Sequence, residues 1–285
     1  MNKRNRGLAL ALVLWAATPY VHAGSSHAEV RKQVEASMLV QGTVDIDAEG
    51  RVVAHQLDQA DTLSKAIRDT IERRVGEWRF EPILVDGKAV RARSPMQLRL
   101  VTKQDGEKYL LRIAGATFGS VDQDGEAPRA RRERKRPPFP GAARDWGVGG
   151  TVYLVLRVGR DGTVQEVVAE QVNLRVVGSE REMTVFADLL ARPAMMTARK
   201  WQFDFPTRGE DADEPFMSVR VPVDFLLPDQ SSEKAGEWSA YVPGPRQPVP
   251  WRDWNADFQA PDALASGGVY PDRPTGPRLL TDLDG

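Results

Sequence analysis

Cysteine is absent from this 285-residue chain, and histidine nearly so, with three copies. The first absence excludes disulfides whatever the compartment. It also excludes zinc sites of the usual nitrogen–sulfur kind. The second leaves little for nucleophilic chemistry. Beyond residue 23 only His27 and His55 remain. His27 falls in a frayed start and His55 in an expected strand, and neither place suits a Ser-His-Asp site. A dominant charge is missing too: 39 Lys plus Arg stand against 40 Asp plus Glu. No global excess of positive charge invites nucleic acid. The acid pairs Asp45 with Asp47 and Asp211 with Asp213 read as solvated strand and turn faces, because a paired-carboxylate hydrolase needs both groups over one cleft. Gly147 to Gly150 precedes a strand, so it lacks the helix terminus of a phosphate cradle. The expectation is a protein with no catalytic residue, no cofactor and no metal.

Long apolar runs are also lacking. Lys3, Arg4 and Arg6 open the chain, and the apolar run from Leu8 to Ala17 has only ten residues. As a helix it rises about 15 Å, against a hydrocarbon core of roughly 30 Å. Val21 and Ala23 supply small residues of the cleavage type, so residues 1–23 read as a cleavable secretory signal. A retained membrane anchor is the alternative. Cleavage at Gly24 leaves 36 basic against 40 acidic residues, a net charge of −4. The expected location is the periplasm.

What the chain does contain is a long internal repeat. In the first copy Gly42-Thr-Val44 opens an alternating strand, Gly50 turns it, a helical run follows, and Trp78-Arg-Phe80-Glu-Pro82 leads to a closing strand. The second copy has Gly150-Thr-Val152, the turn Asp161-Gly162, Trp201-Gln-Phe203 and a closing strand ending at Leu227. Met38, Val40, Gly42, Val44 and Ile46 follow period two, as a half-buried strand does. Leu63, Ala66, Ile67, Thr70, Ile71 and Val75 lie on one helix face, which Asp61 or Thr62 can cap. Residues 180–200 predict a longer helical region interrupted at Pro193. The 39 positions from Gly162 to Trp201, against 28 from Gly50 to Trp78, mark an insertion in the second copy.

The implied organisation is a signal (1–23), a short leader (24–35), a first domain (36–101), a basic linker (102–136), a second domain (137–228) and a tail (229–285). Within the linker, Tyr109 to Phe118 suits an extra strand pair. Six of the eight residues from Arg129 to Arg136 are basic. That run reads as a solvated linker, or as a contact with an anionic membrane surface. The tail holds eight prolines and six glycines in 57 residues, the composition of a disordered segment. Its Trp238, Tyr241, Trp251, Trp254 and Phe258 suit docking instead.

Pro95 and Pro222 occupy equivalent places in the two closing strands. Proline cannot donate to a ladder and is confined to edges, strand starts and bulges. One flank of each closing strand is therefore expected to be unpaired.

The second copy resembles the carboxy-terminal domain of TonB-type energy transducers at Pro138-Phe139-Pro140, Gly150-Thr-Val152, Asp161-Gly162, Lys200-Trp201-Gln-Phe203 and Val221-Pro222-Val223-Asp-Phe225. The first copy matches at Gly42-Thr-Val44, Gly50-Arg-Val52, Trp78-Arg-Phe80-Glu-Pro82 and Gly87-Lys-Ala-Val90. The resemblance implies an α+β fold: two tandem domains, each a small antiparallel sheet with a helix on one face. It also implies a non-enzymatic module that binds a partner peptide, in this family from an outer-membrane TonB-dependent transporter, by strand addition. The residues expected at the binding edges are Met96, Leu98 and Leu100 in the first copy, and Val219, Val221, Val223 and Phe225 in the second. The chain departs from the family in its short apolar segment and in lacking a long proline-rich spacer. From Gly24 to Glu35 there are twelve residues, a reach of about 43 Å at most. A membrane-anchored transducer and an envelope scaffold remain alternatives.

Overall fold

The computed structural model describes residues 27–106, 108–119, 128–131, 133–208, 210–252, 264–272 and 276–283. The expected signal lies outside the described residues. Among the described residues no helix is long and apolar enough to cross a membrane.

A short helix α1 (His27–Arg31) leads into strand β1 (Glu35–Ile46), which returns as β2 (Val52–Leu57). Helix α2 (Lys65–Glu77) follows, then a small hairpin of β3 (Leu84–Val85) and β4 (Lys88–Ala89), then the long strands β5 (Ala92–Asp105) and β6 (Lys108–Phe118). After β7 (Arg129–Ala130) and helix α3 (Gly141–Asp145), the order recurs as β8 (Gly150–Gly159), β9 (Val164–Leu174), α4 (Glu180–Ala198), β10 (Phe203–Asp204) and β11 (Phe216–Phe225). The tail adds β12 (Ser239–Tyr241) and β13 (Tyr270–Pro271). The fold is mixed α+β on small antiparallel sheets. Strands β2-β1-β5 and β9-β8-β11 make the same three-stranded arrangement.

The repeated motifs have steric causes. A Cβ on Gly42 would stand 2.1 Å from the Gln56 carbonyl oxygen, and one on Gly150 2.3 Å from that of Asn173. Each glycine lets the return strand approach closely. At the hairpin turns Gly50 and Gly162 have φ of +81° and +82°. The Phe80 amide donates to the Gly50 carbonyl at 2.7 Å, and the Phe203 amide to that of Gly162 at 2.9 Å. Each Trp-x-Phe segment is thus pinned to its own turn. Trp78 and Phe80 are buried and pack edge-on against Phe118 of β6, at centroid distances of 5.6 and 4.8 Å. Burying side chains of this size contributes about 1.5–3 kcal/mol each.

Several expectations need correction. Ser64 caps α2, accepting from the Ile67 amide at 3.4 Å, while Asp61 and Thr62 lie in a preceding 3-10 turn. Helix α4 runs unbroken through Pro193. Leu190 and Ala191 before it, and Ala194 and Ala198 after it, are buried in the core, and this packing outweighs one lost amide. The capping box of Ser179 and Glu182 secures its start. The longer β9 and α4, at 11 and 19 residues against 6 and 13 for β2 and α2, absorb the insertion.

The first domain does not end at Val101, because β6 completes its sheet. The described parts of the tail are docked. Ser239–Tyr241 pairs with Glu35–Ser37 of β1, and the next residue, Val242, exchanges hydrogen bonds of 2.8 and 3.0 Å with Leu174 of β9. One stretch of tail therefore stitches the two sheets together. The basic run is engaged as well: Arg131 pairs with Asp204 at 3.0 Å, and the Trp201 indole donates to the Lys135 carbonyl at 3.0 Å.

A Cβ at Gly50 or Gly162 would lie 2.0 or 2.1 Å from a phenylalanine carbonyl oxygen, whereas Gly87 (φ +74°) has open space around it. Replacing Gly87 with alanine costs only the left-handed backbone penalty, roughly 1–2 kcal/mol. Gly50→Ala and Gly162→Ala add a backbone clash and lower the melting temperature clearly further, which thermal unfolding of the three variants measures.

Candidate functional site

The residues expected at the binding edges are core residues. Met96, Leu98 and Leu100 lie in the first hydrophobic cluster, and Val219, Val221, Val223 and Phe225 in the second, all buried. Their side chains are closed to a partner, so only backbone could serve. In the first copy the backbone is closed too. Strand β5 pairs with β1 on one flank and, from Met96 to Asp105, with β6 on the other. The open edge expected there is absent. Pro95 marks the end of that ladder, where the Gly119 amide donates to the Pro95 carbonyl at 3.0 Å.

In the second copy β11 pairs with β8 along its whole length. Its outer flank pairs with β13 only at Val219 and Arg220. The Asp272 amide donates to the Ser218 carbonyl at 2.9 Å, and the Gly267 amide to the Pro222 carbonyl at 3.4 Å. Backbone groups alternate along a strand, so the even-numbered residues face outward and the odd-numbered ones face β8. Pro222 thus has its missing amide on the outer flank, as an edge proline should. The two prolines are not equivalent in register, however. Thr43 faces Pro95, one residue after Gly42, while Tyr153 faces Pro222, three after Gly150. The offset of two keeps the same flank.

The tail segment from Leu264 to Asp272 lies on that outer flank. Arg134, from the basic run, donates to the carbonyls of Gly267 and Gly268, and its guanidinium sits 5.4 Å from the centre of the Trp201 ring. Ser266 and Thr151 both donate to Asp224 Oδ1 at 2.7 Å. Tyr270 is buried, with its hydroxyl donating to the Ala265 carbonyl at 2.9 Å. Burial raises its pKa above the ordinary 10.0.

Behind this flank sits a buried ionic cluster. Glu170 is fully buried, in the extra position of a bulge in β9, where Tyr153 faces Gln171 and Leu154 faces Ala169. A bulge re-aims a side chain, here toward Arg220 of β11. Arg220 donates to it at 2.9 and 3.2 Å. The tail supplies Arg246, at 2.9 and 2.8 Å from Glu170 Oε1, and Arg252, at 2.9 Å. Arg252 also grips both carboxylate oxygens of Asp272, with Nε to Oδ2 at 2.7 Å, and Arg220 lies 3.5 Å from Oδ1. Ser218 Oγ donates to Asp272 at 2.9 Å and accepts from the Trp251 indole at 3.1 Å. Burial, with Arg220 nearby, lowers the Arg252 pKa to about 10, so it stays cationic at neutral pH. Removing one partner from such a cluster typically costs about 3–5 kcal/mol, because a buried charge is left uncompensated.

Sequence reasoning missed Glu170, Arg220, Arg246, Arg252 and Asp272, and read Arg134 only as part of a basic run. The only available signal was an acid in the strand Val164–Leu174 and an arginine amid the alternating apolar residues of Phe216–Phe225. No family model, curated protein or solved structure matches this chain.

The first of the two acid pairs has structural partners. Asp45 accepts from Arg93 at 2.6 and 2.8 Å, and Asp47 accepts from the amides of Glu49 and Arg51 at 3.0 and 2.8 Å. Among the described residues no group of three or more acids and histidines is placed to hold a metal. The hydrogen bond from Arg93 holds the Asp45 pKa below its ordinary value of 3.8. A depressed folded-state pKa stabilises the fold above the unfolded value and is lost as pH falls through the folded one. Asp45→Asn therefore lowers the melting temperature at pH 7, and the gap from wild type closes on acidification below about 3.8. A pH series of thermal melts on both proteins checks this.

Proposed function

We propose that this chain is a periplasmic, non-enzymatic peptide receiver built from two tandem domains resembling the TonB carboxy-terminal domain. Its partner is an extended polypeptide segment, of the kind an outer-membrane transporter exposes, added as a strand. The receiving edge is the outer flank of β11. The first copy contributes no edge at β5, since β6 occupies it.

One observation carries the reading: the outer flank of β11 already takes an extended segment in antiparallel register, at Val219 and Arg220. Strand addition relies on backbone hydrogen bonds, and the even-numbered residues of β11 aim theirs at that flank. Buried side chains on both faces fix the strand, so the edge is preformed. Arg131 and Arg134 of the basic run make their contacts within the fold.

A photoreactive residue at Ser218 or Asp224, in intact cells, should yield adducts with one extended segment of an envelope protein. The same residue at exposed Val53, on β2, should not. If every adduct falls on the chain's own tail, in wild type and in Tyr270→Ala alike, the receiver reading is lost.

A further inference from the structure

The tail segment on the receiving edge is itself a peptide bound by strand pairing, so its chemistry describes the site. Besides the Ser266 hydroxyl on Asp224, three features define it. Its backbone pairs across Arg220 and Tyr270, with flanking hydrogen bonds at Ser218 and Pro222. Its aromatic side chain, Tyr270, is buried. Its carboxylate, Asp272, lies between Arg220, Arg252 and Ser218 with little exposure.

We infer that residues 264–272 act as an intramolecular strap occupying the edge in place of the partner, and that the partner is an extended peptide carrying an aromatic residue followed two positions later by a carboxylate. The inference rests on the receiver reading and names its ligand and its control. Antiparallel pairing at β11 points the residue two after the aromatic at Ser218, because Arg220 faces Tyr270 and the Asp272 amide bonds Ser218. The arginines there favour a carboxylate over a neutral group. An incoming segment with the same pair of features makes the same contacts, so it can bind only where the strap has left. Arg134 is a positioning residue: it holds the strap's Gly267–Gly268 turn and makes none of the hydrogen bonds to β11.

The chain has no cysteine, so one introduced pair makes one disulfide. Val219 and Pro271 face each other across the pairing. Val219 aims its own backbone at β8, so the pair is of the closely spaced, non-hydrogen-bonded kind, with Cα atoms about 4.5 Å apart, within disulfide range. The full-length chain with Val219→Cys and Pro271→Cys is tested oxidised and reduced against a labelled synthetic peptide of residues 264–272. Formation of the disulfide reports native pairing, and the reduced form is the folded control. Binding followed by fluorescence anisotropy should weaken about tenfold or more on oxidation. The peptide carrying Asp272→Asn should bind the reduced protein about tenfold more weakly, a loss in the range of one charge-assisted hydrogen bond. Arg134→Ala should strengthen peptide binding by loosening the strap.

Equal binding by oxidised and reduced protein overturns the inference, as does equal binding of the Asp272 and Asn peptides. So does failure of the peptide to bind either the reduced form or Arg134→Ala. A transporter peptide that binds the locked and unlocked forms equally sinks the strap while leaving a receiver that uses another edge. A strap peptide that exchanges while no transporter peptide binds keeps the strap and removes the receiver.

Discussion

A carboxylate with no contact with water must be neutralised where it stands, and Glu170 is such a group. Its own sheet supplies one cation, Arg220; the tail supplies Arg246 and Arg252. Asp272, also from the tail, answers the arginine excess this creates. On the face of the second sheet opposite α4, charge thus holds the tail in place beside buried apolar residues such as Val155 and Val249. A tail rich in proline and glycine can be ordered this way, because a few charge-assisted contacts anchor each stretch. The dependence runs both ways: without the tail Glu170 loses two of its three cations, and without Glu170 three arginines crowd together.

The same tail ties the two modules. Leaving the ionic cluster, it runs back to Val242 on β9 and then to β12 beside β1. Further back, Glu233 pairs with Arg99, which is buried on β5 and also donates to Ser37 at 2.8 Å. Small modules are marginal alone, and disulfides are excluded here. Charged and backbone contacts from one shared segment take over the stapling.

The local structure was legible in the sequence, and the long-range structure was not. Period-two runs located β1, β8 and β11, and the helical spacing of Ile67, Ile71 and Val75 located α2, because those patterns record burial directly. Gly42, Gly50, Gly150 and Gly162 were visible as a repeat whose steric reason needed coordinates. Pro193 misled because the rule for proline in a helix is local, while the packing that overrides it is tertiary. Pro95 and Pro222 both lack an amide on the outward side, yet the unpaired flank expected of each is absent on β5. They could not report what lay beside the rest of the strand, since β6 and β13 are assigned by pairing that no single strand encodes. The outer flank of β11 was therefore legible as an edge from Pro222, while the side chains that hold its cover were not. Glu170 and Asp272 are about a hundred residues apart, and nothing in either neighbourhood hints that they share arginines.

Bare strand edges invite association, and proteins cover them. This chain covers its two closing strands unequally. On β5 the cover is β6, the next strand in the chain, paired from Met96 to Asp105, with Phe118 locked against Trp78 and Phe80. Opening it would expose a core. On β11 the cover is β13, paired at two residues and delivered by a remote segment. Opening it breaks few backbone bonds but separates Asp272 from its arginines, so the main cost is electrostatic. A visiting carboxylate can repay that cost, whereas no visiting peptide could rebuild the aromatic core under β6. The asymmetry makes one duplicated strand structural and leaves the other suited to exchange.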